Sequence, residues 1–157
     1  MMDTQRAAEI LREETRLLLD FEAATQEMLT CSAERLEEAM ARREQLLAGI
    51  QGQEEALAAL CRGAGEAGGA LMDAAKGRSD WEALPEDLRE VYDRGREVRA
   101  VLSRFPESEV QARLRLRQEQ ERLLLKIKAA NRGSAAKASR FYAAGSAPGG
   151  GTKLGRA

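Results

Sequence analysis

Histidine is absent from the 157 residues, and its absence excludes the chemistry that most often depends on it. Histidine is the commonest general base, the commonest metal ligand and the proton acceptor of nucleophilic triads. The only cysteines, Cys31 and Cys61, are far apart and outside any CxxC pair, so we expect both to pack as small apolar groups. The sequence therefore predicts a protein that is not an enzyme and that uses no metal and no cofactor.

Paired carboxylates do not restore an acid/base site. Adjacent glutamates such as Glu13-Glu14 and Glu54-Glu55 point about 100° apart on a helix, so the two members of a pair do not converge on a substrate. Charged residues are mostly exposed in folded proteins. We expect these glutamates to lie on solvated helix faces.

Aromatic residues are also scarce, at 4% of the chain, and β-branched residues are few, which leaves little from which to build a sheet. Alanine and leucine dominate the apolar content and favour helices. No apolar run reaches the roughly 18 residues of a membrane span, and no apolar stretch typical of a signal peptide follows Met1. We expect an all-α, cytoplasmic protein without membrane insertion.

Apolar residues at three- and four-residue steps predict helices over about residues 4–29, 33–61, 85–104 and 107–143. The clearest pattern is a heptad seam over residues 36–61, with charged residues at two of its positions, Arg43 and Glu54. The simplest arrangement that buries these stripes is an antiparallel helical bundle over residues 1–144 with long coiled-coil-like helices.

Glycines mark the predicted breaks in this bundle. Four of them between residues 63 and 69 predict a Gly-rich loop over 62–80, with one or two helical turns over residues 70–76 inside it that end at Gly77. Ser79 and Glu82 resemble a capping box at the end of that loop, where Trp81 is expected to anchor the chain. A second glycine run predicts a disordered tail over residues 145–157.

The net charge of -1 conceals a strong gradient along the chain. Residues 1–62 carry a net -6, residues 63–109 a net -4, and residues 110–157 a net +9. The acidic helices can complement the basic segment within the fold. Nucleic acid is the alternative partner that such a charge attracts, but the basic helix also carries an apolar stripe and no recognisable reader motif, so nucleic acid is the less favoured interpretation.

Several short segments in the two halves of the chain together form a pattern that is typical of one protein family. In the first half these segments are Met28-Leu29, Ser32-Ala33-Glu34-Arg35-Leu36, Arg42-Arg43-Glu44-Gln45-Leu46-Leu47 and Ile50. Near the end they are Ile127-Lys128-Ala129-Ala130-Asn131 and Phe141-Tyr142-Ala143-Ala144-Gly145. These segments resemble the flagellar export chaperones of the FlgN type, which escort hook-filament junction proteins. The first group is similar to that family's leucine, polar step, leucine and basic-residue pattern, and the second to its Asn-containing last helix with a Tyr before Gly.

The resemblance implies a chaperone that captures an amphipathic terminal helix of a hook-filament junction protein along its own last helix. Its partners would be that exported flagellar protein and the export gate, and it would be a monomer or weak dimer. On this basis the apolar floor would be formed by Leu116, Leu123, Ile127 and Ala130, with Asn131 beside them and Tyr142 as the contact to the gate. The alternative is a coiled-coil scaffold or assembly protein that self-associates through residues 36–61.

Overall fold

The computed structural model describes the backbone of residues 2–145, and the side chains of residues 3–135 and 137. The helices are α1 (Met2–Thr30), α2 (Ala33–Gly63), α3 (Ala67–Ala75), α4 (Glu86–Leu102) and α5 (Phe105–Gly145), with a 3-10 turn at Trp81–Ala83. No strand occurs within residues 2–145, which confirms the all-α helical bundle. Apart from Gly145, the predicted tail lies outside the described residues.

The chain divides into two compact units, residues 1–115 and residues 116–157. The boundary falls inside α5, whereas the sequence predicted one bundle over residues 1–144. Burial accounts for the position of the boundary, because Ala112 is the last buried residue among the described side chains of α5. Each unit is therefore described separately below.

In the first unit α1 and α2 form an antiparallel hairpin. A Cβ atom added to Gly49 would lie 3.3 Å from Leu17 Cδ1, and further along the pair Arg43 Nε donates a hydrogen bond of 3.0 Å to Thr25 Oγ1. Residue numbers fall along α2 as they rise along α1, which is the antiparallel register. The turn begins where the Cys31 amide donates to the Glu27 carbonyl at 2.8 Å.

The core of this unit surrounds α1. Buried apolar side chains from four helices form it, among them Leu18, Phe21, Leu57, Leu71, Val91 and Val98. Cys61 belongs to this core, and Cys31 is half-buried. The heptad seam predicted on α2 is only partly buried, since Ile50 and Leu57 are inside whereas Leu47 is 45% exposed.

One predicted solvated carboxylate is inside the core. Glu14 is only 3% exposed, so the expectation that both members of the Glu13-Glu14 pair face water is wrong for Glu14. Burial, reinforced by the nearby carboxylate of Glu54, raises the pKa of Glu14 to about 7, and the ammonium group of Lys76 opposes this rise. The reason for the error is register, because Glu14 lies one helical turn before Leu18 on the buried face of α1.

The predicted Gly-rich loop over 62–80 is also corrected, because α3 occupies Ala67–Ala75 within it. Gly65, with φ of +63°, reverses the chain after α2. A Cβ atom added to Gly68 would lie 2.0 Å from the carbonyl oxygen of Cys61. A Cβ atom added to Gly95 of α4 would lie 2.0 Å from the carbonyl oxygen of Ala75. These glycines permit close helix packing, whose contacts offset the cost of glycine in a helix.

The turn between α3 and α4 is fixed by polar contacts around Trp81. Its cap is Asp80, whose Oδ1 accepts a 3.3 Å hydrogen bond from the Glu82 amide, so the predicted capping role of Ser79 is wrong. Trp81 Nε1 donates to Asp93 Oδ1 at 3.2 Å, and the Arg89 guanidinium lies 4.4 Å from the Trp81 ring centroid. Trp81 thus anchors this segment to α4, as the sequence suggested.

Candidate helix-binding surface on α5

The first three turns of α5 belong to the first unit and are held against the end of α1. The ring of Phe105 stacks on that of Phe21 with centroids 5.2 Å apart. Two guanidinium nitrogens of Arg115 donate to the carbonyl oxygens of Leu29 and Cys31, at 3.0 and 2.8 Å. These carbonyls lie at the end of α1, where helical partners run out, so Arg115 caps α1 while it fixes α5.

Arg43 provides the second attachment and explains a charged residue on the predicted seam of α2. Its guanidinium forms an ion pair with Glu109 of α5, donates to Thr25, and lies 4.8 Å from the centroid of the Phe21 ring. Sequence analysis did not identify this role. The available signal was the seam position itself, since an arginine there needs a polar partner when it packs inward.

Within the second unit, the described chain is one helical segment of α5. Every described side chain from residue 120 to residue 135 is exposed. Four bulky aliphatic residues lie among them, and their exposed fractions are 59% for Leu123, 55% for Leu124, 65% for Leu125 and 48% for Ile127. Scattered exposed leucines are ordinary, but a contiguous apolar surface marks an interaction site.

The exposed apolar residues are arranged by helical spacing. Leu116, Leu123 and Ala130 follow one another at seven-residue steps, and Ile127 lies four residues after Leu123, so these four share one face. We call them the α5 stripe. Leu124 extends the stripe on one side, and Leu125 projects from the opposite side of the helix.

Positive charge flanks the α5 stripe. Residues 116–145 contain seven Lys and Arg against two Glu, for a net charge of +5. One of the seven, Arg122, forms an ion pair of 3.8 Å with Glu119 on its own helix. Lys126 and Lys137 are exposed along one edge of the stripe, so a helix lying on the stripe would meet cations along that edge.

The structure brings together four of the six residues predicted to bind a partner. Leu123, Ile127 and Ala130 are exposed on one face, and Leu116 is half-buried at its beginning. Asn131 is exposed beside that face. Tyr142 falls within α5, but its side chain lies outside the described residues. Leu125 was missed, although the run of three leucines at 123–125 signalled that apolar residues surround the helix.

The described residues contain neither a metal centre nor a membrane span. No group of three or more Cys, Asp or Glu side chains in the described part of the chain could hold a metal ion. Among the helices of residues 2–145, none has both the length and the apolar content to cross a bilayer.

Comparisons with protein-family models, with curated proteins and with solved structures find no match to this chain.

Proposed function

We propose that the protein is a cytosolic chaperone of flagellar type III export, which holds an amphipathic terminal helix of a hook-filament junction protein before secretion. One observation carries this proposal, namely the exposed α5 stripe on a basic helix. The sequence resemblance to FlgN-type chaperones adds the identity of the cargo. The protein would bind and release its cargo without chemical change.

Burial supplies the energy for such capture. A fully buried leucine or isoleucine side chain contributes about 1.5–3 kcal/mol relative to an exposed one, and both Leu123 and Ile127 are about half exposed or more. An amphipathic helix placed along the stripe would cover both residues and extend over Ala130, whose small side chain lets a second helix approach closely. This geometry is the helix-in-groove mode of peptide recognition.

Charge favours an acidic helix as the occupant over a second copy of α5. Two copies of residues 116–145 would bring together two segments of net charge +5, and like charges across an interface oppose association. An acidic helix would instead meet Lys126 and Lys137 at one edge of the stripe. The same basic charge would attract nucleic acid, but exposed aliphatic residues do not contribute to phosphate binding.

The test is co-purification of the protein with the full-length hook-filament junction protein of the same organism. The variant Leu123→Asp/Ile127→Asp changes the stripe, and Leu125→Asp/Gln118→Asp places the same two charges on the opposite side of the helix. We expect the stripe variant to weaken binding by at least about tenfold and the control variant to retain it. Capture that survives in the stripe variant would refute the proposal.

Two further arms of this experiment separate the remaining interpretations. Tyr142 is the proposed contact to the export gate, so Tyr142→Ala should lower capture of the gate component and leave cargo capture unchanged.

Sedimentation of the isolated protein tests the alternative of a coiled-coil scaffold. A stable dimer that persists to low concentration, in the parent and in Leu123→Asp/Ile127→Asp alike, would favour self-association through residues 36–61 over cargo binding.

A further inference from the structure

A concave surface lies at one end of the first unit, away from the contacts that hold α5. It is an apolar cavity of about 520 Å³ between the beginnings of α1, α3 and α4, a volume within the range of peptide and small-molecule sites. We call it the end groove, and its argument rests on Asp3, Ala67, Ala70, Leu71, Asp87 and Leu88.

The floor of the end groove is apolar because alanine and leucine side chains line it. Leu71 is only 2% exposed and closes the bottom, while Leu88 is half-buried at the side. Ala67 and Ala70 are exposed at the rim, where their short side chains leave the space open. A bulky apolar side chain from outside could therefore be buried here without moving the helices.

The rim of the end groove is acidic. Asp3 and Asp87 both line it, and neither carboxylate forms an ion pair with the side chains of residues 3–135. The Oδ1 atom of Asp87 accepts a 3.0 Å hydrogen bond from the Leu88 amide, which fixes the carboxylate at the start of α4. The rim therefore presents negative charge that the described residues do not neutralise.

A second, more polar depression continues from the end groove between α1 and α4. It has a volume of about 310 Å³ and shares Thr4 and Asp87 with the groove. Its other charged residues are Glu9, Arg12 and Glu90. Glu90 forms an ion pair of 3.8 Å with Arg12, and Glu9 one of 3.5 Å with Arg6. The combined surface is thus an apolar cavity that continues into a polar track, with the carboxylate of Asp87 at the point where the two meet.

We propose that the end groove binds a peptide segment of a partner protein in which a bulky apolar residue is followed by basic residues. The apolar residue would fill the cavity over Leu71, and the basic residues would lie against the rim carboxylates of Asp3 and Asp87. This partner is opposite in charge to the helix proposed for the α5 stripe, so the two surfaces recognise different segments. The inference does not depend on the proposed chaperone function.

The probe is a short fluorescein-labelled peptide of Gly and Ser in which Trp-Leu is followed by three lysines. One matched peptide carries glutamates in place of the lysines, and another carries serines in place of Trp-Leu. In fluorescence anisotropy with the full chain, we expect the basic apolar peptide to bind at least about tenfold more tightly than either matched peptide. Equal binding of the three peptides, or no binding of the first, would overturn the proposal.

Two variants locate the binding in the groove. Ala70→Trp fills the cavity from an exposed position, and Asp3→Lys/Asp87→Lys reverses the rim. Each should weaken the basic apolar peptide by at least about tenfold, whereas Ala48→Trp and Glu37→Lys/Glu55→Lys, at exposed positions on α2, should leave its affinity unchanged. Unchanged affinity in both groove variants would refute the assignment.

A measurement on the unmodified chain keeps the test independent of variant folding. Titration of the ¹⁵N-labelled protein with the basic apolar peptide should shift amide resonances of residues 3–4, 64–71 and 86–88. Shifts confined to α2 or α5 would place the peptide elsewhere and overturn the proposal. Self-association that Ala70→Trp abolishes would show that a second copy fills the groove, which would also overturn it.

Discussion

Leu18 of the first unit and Leu123 of the second lie on helices with the same three- and four-residue apolar spacing, yet they differ completely in their surroundings. Leu18 is 1% exposed in a core that four helices build, and Leu123 is 59% exposed. The spacing of apolar residues thus shows that a helix face needs a partner. It does not show whether the partner comes from the same chain.

The two units also differ in the sign of their net charge. The first unit contains 16 Lys and Arg against 24 Asp and Glu, and residues 116–145 contain seven against two. Some acidic charge of the first unit is neutralised internally, as in the pair of Glu22 with Arg104 at 2.7 Å. The basic charge beside the α5 stripe is largely left exposed, which suits recognition of a separate, acidic helix.

The largest expected difference between the units is in their contribution to stability. Leu18→Ala removes a buried side chain and leaves a cavity, so we expect it to lower the free energy of unfolding by about 2–5 kcal/mol. Leu123→Ala changes an exposed side chain and should alter the same quantity by less than about 0.5 kcal/mol. Urea unfolding followed by circular dichroism measures both. A large loss in Leu123→Ala would contradict the exposed position of the stripe.

The second expected effect concerns Glu14, which places a carboxylate inside the acidic unit. Its pKa is raised to about 7 in the folded state from 4.5, so the folded chain binds this proton more tightly than the unfolded chain. The contribution of Glu14 to stability is therefore most favourable below about pH 4.5, falls as the pH rises towards 7, and is constant above it. The full penalty is roughly 3 kcal/mol, at about 1.4 kcal/mol for each pKa unit.

The variant Glu14→Gln removes this titration and keeps the size of the side chain. It should be more stable than the parent at about pH 8 and show little difference at about pH 5, where Glu14 is protonated. Comparison of the two proteins at each pH cancels the contributions of carboxylates with lowered pKa values, such as Glu22. Equal stabilities at the higher pH would mean that the Glu14 carboxylate reaches water.

Sequence reasoning succeeded where the pattern was long and regular, as in α1 and α2, whose predicted bounds lie within a few residues of the observed ones. At α3 it expected one or two helical turns over residues 70–76 but missed the beginning of the helix at Ala67, because glycine is costly in an isolated helix and the close approach of Gly68 to Cys61 is visible only in three dimensions. It found the α5 stripe from spacing. It could not find the end groove, whose walls come from residues more than eighty positions apart.

The polar partners of α5 could not be predicted from the sequence either, because they are far from α5 along the chain. Arg43 and Glu109 are 66 residues apart, and a seam position occupied by arginine does not reveal which carboxylate it will meet. The pair connects α2 to the part of α5 that belongs to the first unit. Its strength therefore measures how firmly the beginning of the α5 helix is attached to the acidic unit.

The smallest expected effect sharpens the comparison within the first unit, between a partly buried and an exposed ion pair. The Arg43 side chain is 14% exposed and that of Arg104 is 51% exposed. In double-mutant cycles, Arg43→Met with Glu109→Gln should give a coupling energy of about 1–3 kcal/mol. Arg104→Met with Glu22→Gln should give a smaller value, because water and salt screen exposed charges.

Salt provides the control for this last comparison. Raising the ionic strength to about 1 M shortens the screening length to about 3 Å, which should remove most of the Arg104–Glu22 coupling and leave most of the Arg43–Glu109 coupling. Mobile ions reach the Arg43–Glu109 pair less readily because the Arg43 side chain is only 14% exposed, and the contacts of Arg43 with Phe21 and Thr25 cancel in the cycle. Two coupling energies of equal size and equal salt dependence would mean that the Arg43–Glu109 pair is as exposed to solvent as the Arg104–Glu22 pair. The beginning of α5 would then be attached by surface charge and not by the partly buried contact of Arg43.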